Sequence, residues 1–335
     1  MLSHNLKKIL YIFCISIVCL FFSISSLAQQ ENWPKDLSIG TGSVGGGMYM
    51  GGSALSKVIN DMIPGLKSTV EITGAAEANV ALIKAKEIDI GMSTSTTSWE
   101  SFNAKGYAEG KPEKVNKDIR ALFNGWPNVF MFVTLEKYGI NKLSDFEGKV
   151  FSVYTKGSNN NTVAERVLGI LGINVNPVYL NATDSVMSLQ DGAISGFILG
   201  WPNTAVTQLE AEQKVVIITP NDEEIKKVID VYPQFLKLTI PGGAYKAVPE
   251  PRAGLGSFTS IICDKDLPAD LIYTIVSVMY ENMNIVKAIW PDLANNMKIE
   301  DLLEYSLIPL HAGVVKYVRE QGFSVPEKLI PPEAK

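Results

Sequence analysis

The feature that most constrains this chain is the stretch 37–60. There a short apolar run opens into Gly40-Thr41-Gly42-Ser43-Val44-Gly45-Gly46-Gly47-Met48-Tyr49 and continues as an amphipathic helical pattern. A strand that ends in a glycine loop and restarts as a helix directs unpaired backbone N–H groups, at the positive end of the helix dipole, into one small volume. Three consecutive glycines do more than a tight turn requires, because they bare a row of amides at Gly46 and Gly47 beside the Ser43 hydroxyl. A related corner recurs at Lys156-Gly157-Ser158-Asn159-Asn160-Asn161-Thr162, ahead of a second helical pattern. Thr162 with Glu165 three residues on also fits a capping box, and Ser158, Asn160 and Asn161 add neutral polar groups. The two corners together predict a small anionic molecule held between them.

Short β-like runs alternate with helical patterns along most of the chain, which is the signature of a parallel sheet covered by helices. Strands are expected at 37–41, 67–72 and 88–92, with helices at 48–62, 77–86 and 95–104. A second set of strands falls at 129–135, 149–153, 178–180 and 194–199, with helices at 162–171, 183–189 and 204–212. The two sets share one order, so the fold class is α/β with two similar lobes and a cleft between them. An apolar run at 257–263 returns to the first set, giving a two-strand hinge crossed at about 129 and 257, and the remainder, 269–321, is largely helical. The expected division is lobe I at 29–128 plus 257–335 and lobe II at 129–256.

Lys7 and Lys8, the apolar run 9–22 and the small-residue end Ser26-Leu27-Ala28 read as a cleaved secretory signal peptide over residues 1–28. The apolar run is shorter than the ~20 residues of a spanning helix. With Cys14 and Cys19 in the leader, the mature chain keeps only Cys263 and forms no internal disulfide. Removing Lys7 and Lys8 from 30 basic residues leaves 28 against 35 acids, a formal charge of −7. That balance argues against nucleic acid or an anionic membrane surface as a partner. Of 2 histidines only His311 remains, which leaves no His-rich metal site and no evident catalytic triad. A secreted hydrolase or transferase is therefore the weaker alternative, since no G-x-S-x-G setting accompanies His311. Gly40-x-Gly42-x-x-Gly45 matches a dinucleotide fingerprint, but Glu71 lies farther along than the usual ~20 residues, so no cofactor and no metal are expected.

Ser93-Thr94-Ser95-Thr96-Thr97-Ser98 follows a strand and supplies a helix cap with a surplus of hydroxyls, from which Ser93 and Ser95 are candidate solute contacts. Trp126-Pro127-Asn128 and Trp201-Pro202-Asn203 each put an indole beside a rigid proline and an amide, at the cleft edge or in the core. No arginine sits inside a glycine corner; Arg166, one turn after Thr162, either pairs with a carboxylate or leans into the cleft.

Several segments resemble, in order over nearly the whole mature chain, the TAXI family of solute receptors of tripartite ATP-independent periplasmic (TRAP) transporters. They are Ile39-Gly40-Thr41-Gly42-Ser43 through Tyr49, Glu71-Ile72-Thr73-Gly74 with Asn79, Ile88-Asp89-Ile90-Gly91, Leu143-Ser144-Asp145-Phe146-Glu147-Gly148-Lys149 and Pro309-Leu310-His311-Ala312-Gly313. The resemblance implies a two-lobed, type II-like periplasmic binding protein, exported to the periplasm, that closes on a small organic acid and docks to a TRAP permease. A dicarboxylate, a 2-oxo acid or a glutamate-like solute is implied, and a receptor feeding a sensor kinase shares the same features. By the same resemblance the solute contacts Gly46, Gly47, Tyr49, Asn79, the Ser93 to Ser95 corner and the Ser158 to Thr162 corner. Where the family often shows Tyr and Glu after the hinge strand, this chain has Trp126-Pro127-Asn128, which disfavours a required ligand amine.

Overall fold

The computed structural model describes residues 32–335 apart from 43, 45 and 157. The expected leader and Ser43 therefore lie outside the described residues. Strand β1 (Asp36–Gly40) leads through the glycine corner into helix α1 (Gly47–Met62), whose buried positions Gly51, Leu55, Val58 and Ile59 recur at helical spacing. Gly52 lets that helix settle on β1, because a Cβ there would overlap the Thr41 methyl. Next come β2 (Lys67–Glu71), α2 (Ala76–Lys84), β3 (Ile90–Thr94) and α3 (Ser95–Asn103), with β1 parallel to both β2 and β3.

Strand β4 (Ile119–Leu135) is 17 residues long and runs well past the expected 129–135. Trp126-Pro127-Asn128 does not break it. Pro127 stays in register opposite Phe258 of β10 (Arg252–Asp264), beside a register shift between Phe258 and Ser260. Proline lacks a ladder donor and a bulge absorbs the irregularity. The second lobe holds β5 (Val150–Ser152), α4 (Asn159–Leu171), β6 (Asn176–Val178), α5 (Ala182–Gln190), β7 (Gly196–Trp201) and α6 (Thr204–Glu212). Three further elements have no counterpart in the sequence reading: β8 (Val215–Ile218), α7 (Asp222–Val231) and β9 (Leu236–Ile240). After β10 the chain is helical: α8 (Ala269–Glu281), α9 (Met283–Ile289), α10 (Pro291–Asn296), α11 (Ile299–Tyr305) and α12 (Ala312–Glu320).

One continuous sheet runs in the order β2-β1-β3-β10-β4-β7-β5-β6, with β8 on β4 and β9 on β10. Of the described strands only β4 and β10 are long enough to serve both halves, and they pair antiparallel. One apolar core draws on residues 37–126 and 261–329, and two others on residues 129–258. In the second half, Phe130 and Phe132 of β4 enter one cluster while Val129, Met131, Val133 and Leu135 enter the other. Alternation along a strand sends these to opposite faces, so β4 is covered on both sides, which explains its unbroken apolar run. Because β3 pairs antiparallel with β10, β10 with β4 and β4 with β7, the parallel strands of the two halves run in opposite directions, and the ends at which their helices begin point toward each other across the cleft.

Candidate functional site

A cavity of about 440 Å³ lies between the two lobes. The first lobe contributes Met48 in the first turn of α1, residues 74–78 entering α2, Thr94, Thr96, Thr97 and Glu100 of the β3–α3 corner, and Tyr107. The second lobe contributes Ser158, Asn159, Thr162 and Arg166 of α4. A larger hollow of about 660 Å³ beside β8 is lined by the second lobe alone, so relative motion of the lobes cannot close it.

The cavity wall is built from helix beginnings. In α2 the first intrahelical bond is Asn79 N–H to Ala75 O at 2.9 Å, so the amides of Ala76, Glu77 and Ala78 precede the helical ladder. Thr94 caps α3 by accepting from Thr97 N–H at 3.1 Å, and its hydroxyl also meets the Thr96 and Thr97 hydroxyls at 2.9 Å each. Ser158 caps α4 by accepting from Asn161 N–H at 3.2 Å, and Thr162 N–H closes on Ser158 O at 3.0 Å. Three helix starts from two lobes thus present first-turn amides, positive dipole ends and hydroxyls to one volume. Ala75, at the entry to α2, has φ 64° and ψ −147°, a conformation that a Cβ makes costly and that clusters at functional sites.

Behind these groups lies an ion pair that joins the lobes. Arg166 of α4 donates through Nη1 to Glu100 Oε1 and through Nη2 to Glu100 Oε2 at 3.3 Å. Glu100, 3% exposed, also accepts from Gln234 Nε2 and from Tyr107 N–H at 2.9 Å. The guanidinium sits over the Tyr232 ring at 4.8 Å and the Phe235 ring at 6.0 Å. Both carboxylate oxygens are thereby satisfied, which is the condition for burying an ion pair. Desolvation raises the Tyr107 phenol to about 12, so it stays protonated. The sequence carried a signal for the face of each side chain but not for their pairing: Glu100 lies one turn beyond Thr96 and Arg166 one turn beyond Thr162, on the same helix faces as the cavity hydroxyls.

Of the described candidate solute contacts, Ser158 and Thr162 line the cavity, as does Arg166; the other described candidates are placed elsewhere. Gly46 is the exposed N-cap of α1, and its carbonyl accepts from Met50 N–H at 3.1 Å. Gly47 packs on indoles: a Cβ there would stand 2.8 Å from Trp290 and 3.0 Å from Trp126. Tyr49 is half-buried beside the corner and does not border the cavity. Asn79 is a brace. Its Nδ2 donates to Gly40 O, Thr41 O and Met92 O at 3.1, 2.9 and 2.7 Å, its Oδ1 accepts from Thr73 Oγ1 at 2.5 Å, and none of it is exposed. Its bonding capacity is thus spent on the protein rather than on a solute.

Ser93 and Ser95 turn inward. Ser98 Oγ donates to Ser93 Oγ at 3.2 Å and Phe258 N–H donates to Ser95 Oγ at 3.1 Å, leaving Thr94, Thr96 and Thr97 as the cavity hydroxyls. Trp126 belongs to the first-lobe core, edge-on to Trp290 at 4.1 Å. Trp201 ends β7 opposite Val129 and packs on the second-lobe core. At the second corner Asn159 lines the cavity; buried Asn161 donates to Glu165 Oε1 at 3.0 Å, and half-buried Asn160 has a buried, unpartnered Oδ1. His311 caps α12: Nδ1 accepts from Gly313 N–H at 3.2 Å, and Nε2 lies 3.2 Å from Lys265 O.

Two α/β lobes on a shared sheet, joined by two long antiparallel strands around a central cavity, form the periplasmic binding protein fold. The structure of periplasmic binding protein BugD matches 86% of this chain and 96% of its own, at 12% identity and TM-score 0.50. The aliphatic sulphonate binding protein SsuA from Escherichia coli matches 88% of this chain and 95% of its own, at 14% identity and TM-score 0.45. A putative L-cystine ABC transporter from Listeria monocytogenes matches 78% and 98%, at 14% identity and TM-score 0.47. Residues 39–322 match the NMT1-like family, and the chain belongs to that family. Among the described residues no helix is long and apolar enough to cross a membrane.

Proposed function

We propose that this chain is an exported, periplasmic solute receptor that closes its lobes on a small organic anion and delivers it, unaltered, to a membrane transporter. The observation that carries this reading is the convergence of three helix N-termini, from both lobes, on one cavity of about 440 Å³. First-turn amides and dipoles favour an anion without a full positive charge. A carboxylate there exchanges water for charge-assisted hydrogen bonds, each worth about 1.5–3 kcal/mol. Closure then follows because groups from the second lobe reach the solute only when the lobes meet.

The ordered resemblance to TAXI receptors supports a TRAP permease as the docking partner. Release without chemistry is supported by His311, whose ring nitrogens both face backbone partners. The test is a thermal-shift screen of organic acids joined to mass spectrometry of solute carried through purification. A raised melting temperature with a subset of acids and a co-purifying organic anion are expected. No shift with any acid at high excess, or product accumulating from one of them, refutes the reading.

A further inference from the structure

We infer that the solute carries one anionic group and a hydroxylated, uncharged remainder, and that the Glu100–Arg166 pair excludes a second carboxylate. This rests on the solute-receptor reading and narrows it. The titratable charges on the described cavity wall are Glu77, Glu100 and Arg166. The single guanidinium is engaged through both terminal nitrogens by Glu100. Beyond the wall, Lys114 stands 3.5 Å from Glu77 Oε2 and over the Tyr107 ring at 5.4 Å, and Lys156 stands over the Tyr179 ring at 5.6 Å. The one cation on the described cavity wall, Arg166, is therefore matched with a carboxylate of the protein.

One carboxylate on the solute finds the helix-start amides, whose field fades within a turn. A second would lie in a cavity walled by two carboxylates whose one described wall cation is already paired, and it would lose water without compensation. What the rest of the cavity offers is hydroxyls. The Thr94 hydroxyl donates to Thr97 Oγ1 and accepts from Thr97 N–H, but Thr96, Thr97, Ser158 and Thr162 also line the cavity, and a hydroxyl can donate or accept, which complements alcohol groups in either sense. The class indicated is a hydroxylated monocarboxylate.

The test uses matched acids that differ only in a terminal CH₂OH or carboxylate: glycerate against tartronate, and gluconate against glucarate. Titration calorimetry on the wild-type chain at neutral pH reads the ratio of dissociation constants. At least one monoacid is expected to bind ~10-fold or more tighter than its diacid, a difference of about 1.4 kcal/mol. In Glu100→Gln the carboxylate charge is gone while an acceptor for Arg166 remains. That variant is expected to shift the ratio toward the diacid by ~10-fold or more.

Diacids binding the wild type as tightly as monoacids overturn this inference and leave the receptor reading standing. An unshifted ratio in a folded Glu100→Gln overturns the role given to the pair. Where that variant does not fold, the wild-type ratio alone decides. Binding of no acid of either charge overturns the receptor reading and this inference with it.

Discussion

Replacing Asn79 by alanine separates a structural brace from a solute contact. The side chain ties α2 to the ends of β1 and β3 by sharing two N–H groups among Gly40 O, Thr41 O and Met92 O, and by accepting from Thr73 Oγ1. Truncation removes two donors and one acceptor in a place with no exposure to water. At about 1 kcal/mol for each bond the loss is about 3 kcal/mol, and more where a buried carbonyl is left without a partner. A domain of this size loses about 2–4 °C of melting temperature per kcal/mol, so thermal unfolding followed by circular dichroism should fall by roughly 6–12 °C. Because Asn79 does not border the cavity, solute affinity of the folded variant should change by less than ~3-fold, under about 0.7 kcal/mol. An unchanged melting temperature with a ~10-fold weaker affinity would show that Asn79 touches the solute and that the brace argument fails.

Further outcomes follow from the same geometry. Ala75→Gly relieves a backbone at φ 64° and should raise the unfolding free energy by about 1 kcal/mol in a denaturant titration; a decrease would count against strain at that corner. Burial pushes the His311 imidazole below its ordinary 6.5, so the stability it contributes is fully present above that value and is lost as pH falls toward the lowered one. His311→Asn keeps an N-cap acceptor that does not titrate, and a melting profile from pH 7.5 to 4.5 should be flatter than the wild type's; an identical slope would remove His311 as its source. Arg166→Met leaves Glu100 buried without its ionic partner, at a cost of about 3 kcal/mol to the closed form, but opening the lobes rehydrates the carboxylate. Small-angle scattering should therefore show a larger radius of gyration and titration a ~100-fold weaker solute affinity, with little change in melting temperature; an unchanged radius would place the cost in folding instead.

Most of the order of strands and helices was legible because each element carries its own period, and the second corner was legible as a helix start, although the capping box expected at Thr162 and Glu165 does not form: the cap is Ser158, one turn earlier, and Glu165 accepts from Asn161 Nδ2. Four kinds of information were not. The run 93–98 is hydroxyl at every position, so no apolar alternation marks which side chains face the cavity; the sheet turns Ser93 and Ser95 inward and leaves Thr94, Thr96 and Thr97 facing the cavity. Glu100 and Arg166 are 66 residues apart, and only the meeting of two lobes makes them partners. Pro127 marks a break by local rules, yet β4 passes through it because its hinge partner β10 bulges at that point. Asn79 was read through a resemblance that names positions without saying what each one bonds, and the carbonyls that occupy it come from two strands distant in sequence.

The most direct test of the account is a crystal structure of the protein with solute retained from gentle purification. The account predicts closed lobes, with the solute's anionic group against the first-turn amides of α2, α3 or α4 and its hydroxyls on Thr96, Thr97, Ser158 or Thr162. A solute seated outside this cavity, or one whose anionic group meets the Arg166 guanidinium in place of Glu100, would contradict it.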